Sequence, residues 1–217
     1  MDWRDKPVLA PVVNQLNCDC CWAIVAANSI SSAQSIKFNR EVTVYSYQQL
    51  IDCANPAWDT TQGYDCIPYC YRKAYRHIIT NGLCKAEDYK WEKKRQPCQL
   101  SKKLRRYDVL EDYENIKNNE EEVLNILKQQ PVAARVGITE PLRRFVGNGI
   151  FAEGGGSTKG HAVLIVGYGE EEGQKYYIIQ NSWGTSWGED GFGKINRKLL
   201  RHFSYPVVKE GLDLINV

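Results

Sequence analysis

The chain has 217 residues, 43% hydrophobic and 25% charged, with a formal net charge of +2. That length can bury a proper core, either as one large domain or as two smaller lobes around a cleft. No stretch approaches the roughly 18 to 20 apolar residues of a membrane span, and a charge so near neutrality argues against a nucleic-acid partner.

The densest basic stretch, Lys93-Lys94-Arg95 followed by Lys102 to Arg106, is interrupted by Pro97 and Cys98 and reads as a solvated surface face. Eight cysteines point to an oxidising compartment. Their scatter from Cys18 to Cys98 lacks the paired spacing of a structural zinc site, so no metal is expected. The opening Met1-Asp2-Trp3-Arg4 is charged where a signal peptide would be apolar, which reads as a start codon on a processed chain with any leader or pro-segment left out.

In chain order, Trp22, Val25, Ala26, Ile30, Ala33 and Ile36 recur at three- and four-residue steps from Cys21 to about Phe38. That spacing predicts a helix buried along one face. A second helix is expected from about Tyr71 to Ile79, stopping at Asn81-Gly82. A third opens at Asn118-Asn119, with Glu120, Glu121 and Glu122 in its first turn, and ends before Pro131. Pro131 to Ile138, His161 to Tyr168, Lys175 to Asn181 and Gly191 to Ile195 are short apolar or alternating runs between glycine-rich turns, and read as strands. Gly154-Gly155-Gly156-Ser157 reads as a flexible loop beside His161. Helices first and strands second give an α+β protein with a helical lobe, a β lobe and a ligand cleft between them.

Cys21 sits at the first turn of the long helix, where the helix's positive end and unpaired amides favour thiolate over thiol. A thiolate that cleaves an amide needs an imidazole beside it to protonate the leaving amine, and a group to orient that imidazole. Of the three histidines, His161 starts an apolar strand after a glycine-rich loop, whereas His77 lies within a helix and His202 in a basic tail. Asn181-Ser182-Trp183 ends the next strand, and across a hairpin its amide would reach the His161 ring.

Asp2-Trp3-Arg4, Gln15 with Cys18 and Cys21-Trp22-Ala23, His161-Ala162-Val163, Gly167-Tyr168-Gly169 and Asn181-Ser182-Trp183-Gly184 with Trp187-Gly188 together resemble papain and the cathepsins over almost the whole chain. The resemblance implies a papain-like α+β fold over residues 1–217. About 10–108 would form the mainly helical lobe and about 109–207 a mainly β, antiparallel barrel-like lobe. It implies a cysteine peptidase with Cys21 as nucleophile, His161 as base, Asn181 as orienting amide and Gln15 as oxyanion donor. Trp183 would cover the His161–Asn181 bond, with Trp187 packed nearby. Cys18 would join Cys66, and Cys53 would join Cys98. Cys20 would then be a small packing residue or a partner of Cys70, and Cys84 would stay outside these pairs.

The expected partners are peptide or protein substrates and, in a precursor, an inhibitory pro-segment. The expected setting is a monomer, secreted or lysosomal/vacuolar, with no cofactor, nucleic acid or membrane.

Several positions depart from the family pattern. Ile67-Pro68-Tyr69 stands where relatives carry Asn-Gly-Gly, and Pro68 has no N–H to offer a substrate strand. Asp19 adds a carboxylate at the cleft rim beside Trp22, and Gly160 replaces an Asp. Arg135 falls where a small or apolar side chain is usual; turned inward it would favour an acidic substrate residue, and turned outward it would be a surface cation. Pro68, Tyr69 and Cys70 would complete the substrate wall. A catalytically impaired relative serving as a binding or antigenic protein is the alternative that these departures suggest. The closing Leu199 to Pro206 carries no functional reading.

Overall fold

The computed structural model describes residues 1–55, 66–100, 104–117, 119–154, 157 and 159–211. Among the described residues, the first half carries the helices α1 (Cys21–Phe38), α2 (Tyr47–Cys53) and α3 (Tyr71–Asn81). The second half carries β1 (Leu110–Asn115), α4 (Glu120–Leu127), β2 (Val132–Gly137), α5 (Glu140–Arg143), β3 (Ile150–Phe151), β4 (Gly160–Glu171), β5 (Gln174–Gln180), β6 (Phe192–Asn196) and β7 (Leu200–Val208). The result is the α+β, two-lobed papain-like fold.

α1 differs from the one-faced helix its spacing predicts. Every residue from Trp22 to Ser35 is buried, because the helix packs against α2 and α3 on one side and against β2, β4 and β7 on the other. Two of its serines bond locally: Ser29 and Ser31 donate to the Ala26 and Ala27 carbonyls at 2.9 and 3.0 Å. Asn39, left-handed at φ 47, ends the helix.

α3 is amphipathic in the ordinary way, with Tyr71, Ala74, Tyr75 and Ile78 inward and Gly82 at φ 71 closing it. α4 is capped by Asn119, whose Oδ1 accepts the Glu121 and Glu122 amides; Asn118 lies outside the described residues. So do Lys102 of the basic stretch and Gly155 and Gly156 of the glycine-rich loop. Arg106 of that basic stretch is buried rather than solvated, its guanidinium donating to the Asn81 carbonyl at 3.4 Å.

The strands form one sheet in the order β1-β7-β2-β4-β5-β6-β3, antiparallel throughout except for the parallel β3–β6 pair. In β4, Val163 and Ile165 pack into the β-lobe core, while Leu164 and Val166 pack on the other face around Trp3. Both faces are covered, so the strand reads as a continuous apolar run. The helical lobe has its own core around Trp22, Ile30, Leu50, Tyr75 and Ile78, stapled by the Cys18–Cys66 and Cys53–Cys98 disulfides. Cys20, Cys21, Cys70 and Cys84 are free, and Cys20 is wholly buried as a packing residue.

The chain also laces the lobes together. The amide of Tyr168, on β4, donates to the Met1 carbonyl, and Gln34 and Lys37 of α1 donate to the Lys209 and Val208 carbonyls after and at the end of β7.

Candidate active site

The first turn of α1 and the start of β4 meet at the cleft between the lobes. Cys20 is the residue before α1, so the Cys21 amide and its neighbour at Trp22 have no carbonyl one turn back. Across the cleft β4 presents Ala162, whose amide donates to Cys21 Sγ at 3.4 Å. The sulfur therefore rests against the residue that follows His161.

His161 is buried, and its Nε2–H donates to Asn181 Oδ1 at 2.7 Å. An amide oxygen only accepts, so this bond fixes the proton on Nε2 and leaves Nδ1 as the open nitrogen. The β4–β5 pairing delivers the two residues: Leu164 lies opposite Gln180, which places Asn181 at the end of β5 next to the start of β4. Asn181 Oδ1 also accepts the Ser182 amide at 2.8 Å, which holds its side chain in place. Trp183 stacks on the imidazole, ring centroids 4.4 Å apart and planes 26° apart. Trp187 is buried behind it, donating Nε1–H to the Leu142 carbonyl at 2.8 Å, so its main part is in the β-lobe core.

Gln15 ties the loop before α1 to the other lobe. Its backbone N–H donates to the Ser182 carbonyl at 2.8 Å, and its Oε1 accepts from Ser182 Oγ at 2.6 Å. Its Nε2 donates one hydrogen to the Cys18 carbonyl at 2.8 Å, and a primary amide carries a second. Ser182 therefore orients Gln15, a role that its place inside the Asn181-Ser182-Trp183 block did not disclose.

Burial opposes charge on both reacting groups. It pushes the Cys21 thiol up to about 11, against donation from Ala162, Trp22 and Cys21 amides, and Asp19 pushes the same way. It holds His161 down at about 4, with the Asn181 bond pulling up and the Arg143 charge pushing further down. Taken singly, each group loses more from removal of water than the helix-end donors or the Asn181 bond return, and the pair gains when both charges form together. Two opposite unit charges at about 4 Å gain roughly 4 kcal/mol at an effective dielectric of 20. Either charge alone is costly, and proton transfer between the two groups offsets part of that cost by making both at once.

The cleft encloses about 1200 Å³. It brings together all the residues singled out for substrate contact: Asp19, Trp22, Pro68, Tyr69, Cys70, Arg135, Gly160 and Trp183 line it with Gln15, Cys21 and His161. Trp22 lies deepest, 1% exposed, donating Nε1–H to the Ile67 carbonyl at 2.9 Å. It acts mainly as a prop for the 67–70 segment, and Tyr69 packs edge-on against it at 5.2 Å.

Arg135 lies along the wall over Gly160: a Cβ on Gly160 would stand 1.5 Å from Arg135 Nε. The glycine thus makes room for the guanidinium. Lys73, Arg143, Arg144 and Lys159 also line the cleft. The Arg143-Arg144 doublet was visible in the sequence, but nothing there placed it beside His161.

A thiol at a helix start, set against an amide-held imidazole across a two-lobed cleft, defines the class of cysteine proteases built on an α+β frame. Residues 1–204 match the papain family cysteine protease, and the chain belongs to that family. It is 33% identical over 201 residues to the KDEL-tailed cysteine endopeptidase CEP2 of Arabidopsis thaliana, covering 92% of this chain and 54% of that protein. Among solved structures it resembles the bromelain protease of Ananas comosus in complex with the E64 inhibitor, at 27% identity and TM-score 0.79, covering 96% of this chain and 98% of that one. It also resembles the digestive procathepsin L 3 of Tenebrio molitor, at 26% identity and TM-score 0.82, covering 94% and 68%. The chain spans about half the length of the curated relatives it matches.

Proposed function

We propose that this chain is a cysteine endopeptidase that hydrolyses peptide bonds through a Cys21–His161 pair and an acyl-enzyme. The observation that carries the reading is the contact of Cys21 Sγ with the Ala162 amide at 3.4 Å, directly beside an imidazole held by Asn181 at 2.7 Å. As substrate fills the cleft, the Sγ proton passes to His161 Nδ1 and the sulfur attacks the carbonyl carbon. The oxyanion accepts from the second hydrogen of Gln15 Nε2 and from the Cys21 amide. The imidazolium then protonates the leaving amine, which departs and leaves a thioester. Water, giving a proton to His161, attacks the thioester and releases the acid with the thiol restored.

Arg135 favours an acidic side chain at the second residue before the scissile bond, since its guanidinium lies over Gly160 on the cleft wall. A panel of fluorogenic dipeptides tests this, and equal rates for Glu and Leu at that position reject it. The same reading takes a precursor with an inhibitory pro-segment, in line with the pro-form of the Tenebrio molitor neighbour, and a monomer in a secreted or lysosomal/vacuolar setting, in line with two disulfides. The main test is stoichiometric: an epoxide inhibitor labels one Cys21 per chain, and Cys21→Ser abolishes cleavage. A folded protein that labels at Cys21 yet cleaves no member of a peptide library favours the second reading, a binding protein. The observation behind that alternative is Pro68, which has no amide proton, beside Tyr69 in the cleft.

A further inference from the structure

The cleft holds more positive charge than the chain as a whole. Among the described residues, Lys73, Arg135, Arg143, Arg144 and Lys159 line it against one carboxylate, Asp19, on a chain of net charge +2. Arg144 is taken up by Glu140 at 2.8 Å. Among the described residues, Arg143 has no carboxylate within ion-pair distance. Its guanidinium lies over the Trp183 ring, 5.5 Å from the centroid, and Trp183 in turn lies 4.4 Å from the His161 ring. His161, Trp183 and Arg143 thus form a stack that runs from the imidazole to an exposed cation at the last residue of α5.

We propose that Arg143 selects peptides with an acidic side chain at the first or second residue beyond the scissile bond, the carboxylate pairing with its guanidinium above Trp183. This rests on the peptidase reading above. In that reading His161 protonates the leaving amine, so the departing half of the substrate runs from the imidazole over Trp183. Extended chain advances about 3.3 to 3.6 Å per residue. One or two residues plus the reach of a Glu side chain therefore span the two ring separations of 4.4 and 5.5 Å. A guanidinium already laid on an aromatic face loses little freedom on binding, and its fork matches a carboxylate. Asp19 stands on the thiol's side of the cleft, close enough to raise the Cys21 pKa, and Glu140 is engaged by Arg144, so the substrate supplies the missing anion.

The test uses internally quenched peptides that share one unprimed half and carry Glu, Gln or Lys at the two positions beyond the scissile bond. The expected kcat/KM for Glu exceeds that for Gln by about 3- to 10-fold, with Lys lowest. The Glu-to-Gln ratio falls to near one in Arg143→Gln. It persists in Lys128→Gln, which removes the same charge far from the cleft. Equal rates for Glu and Gln, or a ratio that survives Arg143→Gln, overturn the proposal. The same peptides, labelled and titrated by anisotropy against Cys21→Ala, read the preference without turnover. A chain that cleaves nothing but binds Glu peptides through Arg143 refutes the peptidase reading alone. One that cleaves neutral peptides with no Glu preference refutes the Arg143 assignment alone.

Discussion

Replacing Asn181 by alanine tests the link on which the site geometry depends. The side chain is buried, and its Oδ1 accepts two hydrogen bonds, from His161 Nε2 at 2.7 Å and from the Ser182 amide at 2.8 Å. Alanine leaves both donors without an acceptor in a buried setting, at about 1 to 3 kcal/mol each, so the folded state should lose about 2 to 6 kcal/mol. The effect on rate is separate. Trp183 still stacks on the ring at 4.4 Å and limits tilting, but nothing then distinguishes Nε2 from Nδ1 as the protonated nitrogen. Loss of one orienting bond of about 1 to 2 kcal/mol predicts a fall in kcat/KM of roughly 5- to 30-fold, measured on titrated enzyme well below its melting temperature. Asn181→Asp keeps the acceptor and adds a negative charge, so it should raise the His161 pKa from its depressed value of about 4. Wild-type kcat/KM in the alanine variant, or a His161 titration that moves down in the aspartate variant, would refute the argument.

Removing the Cys18–Cys66 bridge as a double serine variant frees a loop with sequence separation 48, and should cost about 4 kcal/mol by urea denaturation; a loss under about 1 kcal/mol contradicts the entropic estimate. Gly160→Asp puts a Cβ where Arg135 now lies and offers the guanidinium a carboxylate, so any preference for acidic substrate residues before the scissile bond should vanish in the dipeptide panel. His77, pushed down to about 4 by burial and then by Arg106, is neutral in the folded chain at pH 5 and protonated in the unfolded chain, whose value is 6.5. Unfolding therefore takes up a proton between pH 6.5 and 4, and stability falls as pH drops through that window, by about 2 kcal/mol at pH 5 from this group. His77→Gln should flatten that part of the curve, and an unchanged slope would show that His77 does not carry it.

What was legible in the sequence and what was not divides along physical lines. The start of α1 at Cys21, the cap at Gly82 and the Asn119 cap of α4 are local matters of chain geometry, and local signals announce them. β7 was hidden because two local signals argue against a strand. His202 sits at φ 60 where the pairing with β2 slips, which breaks the alternation. Pro206 lacks an amide, and it lies beyond Ser204, where the pairing with β2 ends, opposite Tyr113 of β1 alone. The ionisation of Cys21 is only half legible, for a different reason. A helix terminus can be read from neighbours in the chain, whereas desolvation depends on the other lobe, whose β4 lies against the sulfur. The same limit applies to the cationic cleft: Lys73, Arg135, Arg143 and Lys159 come from separate segments, and only the folded chain sets them around one cleft. Charge placed in this way acts on both steps a peptidase must perform. It would attract an anionic substrate, and the Arg143 charge adds to the burial that holds the imidazole neutral. A bound carboxylate that neutralises Arg143 would then ease protonation of His161 in the complex, coupling the choice of substrate to the chemistry that follows.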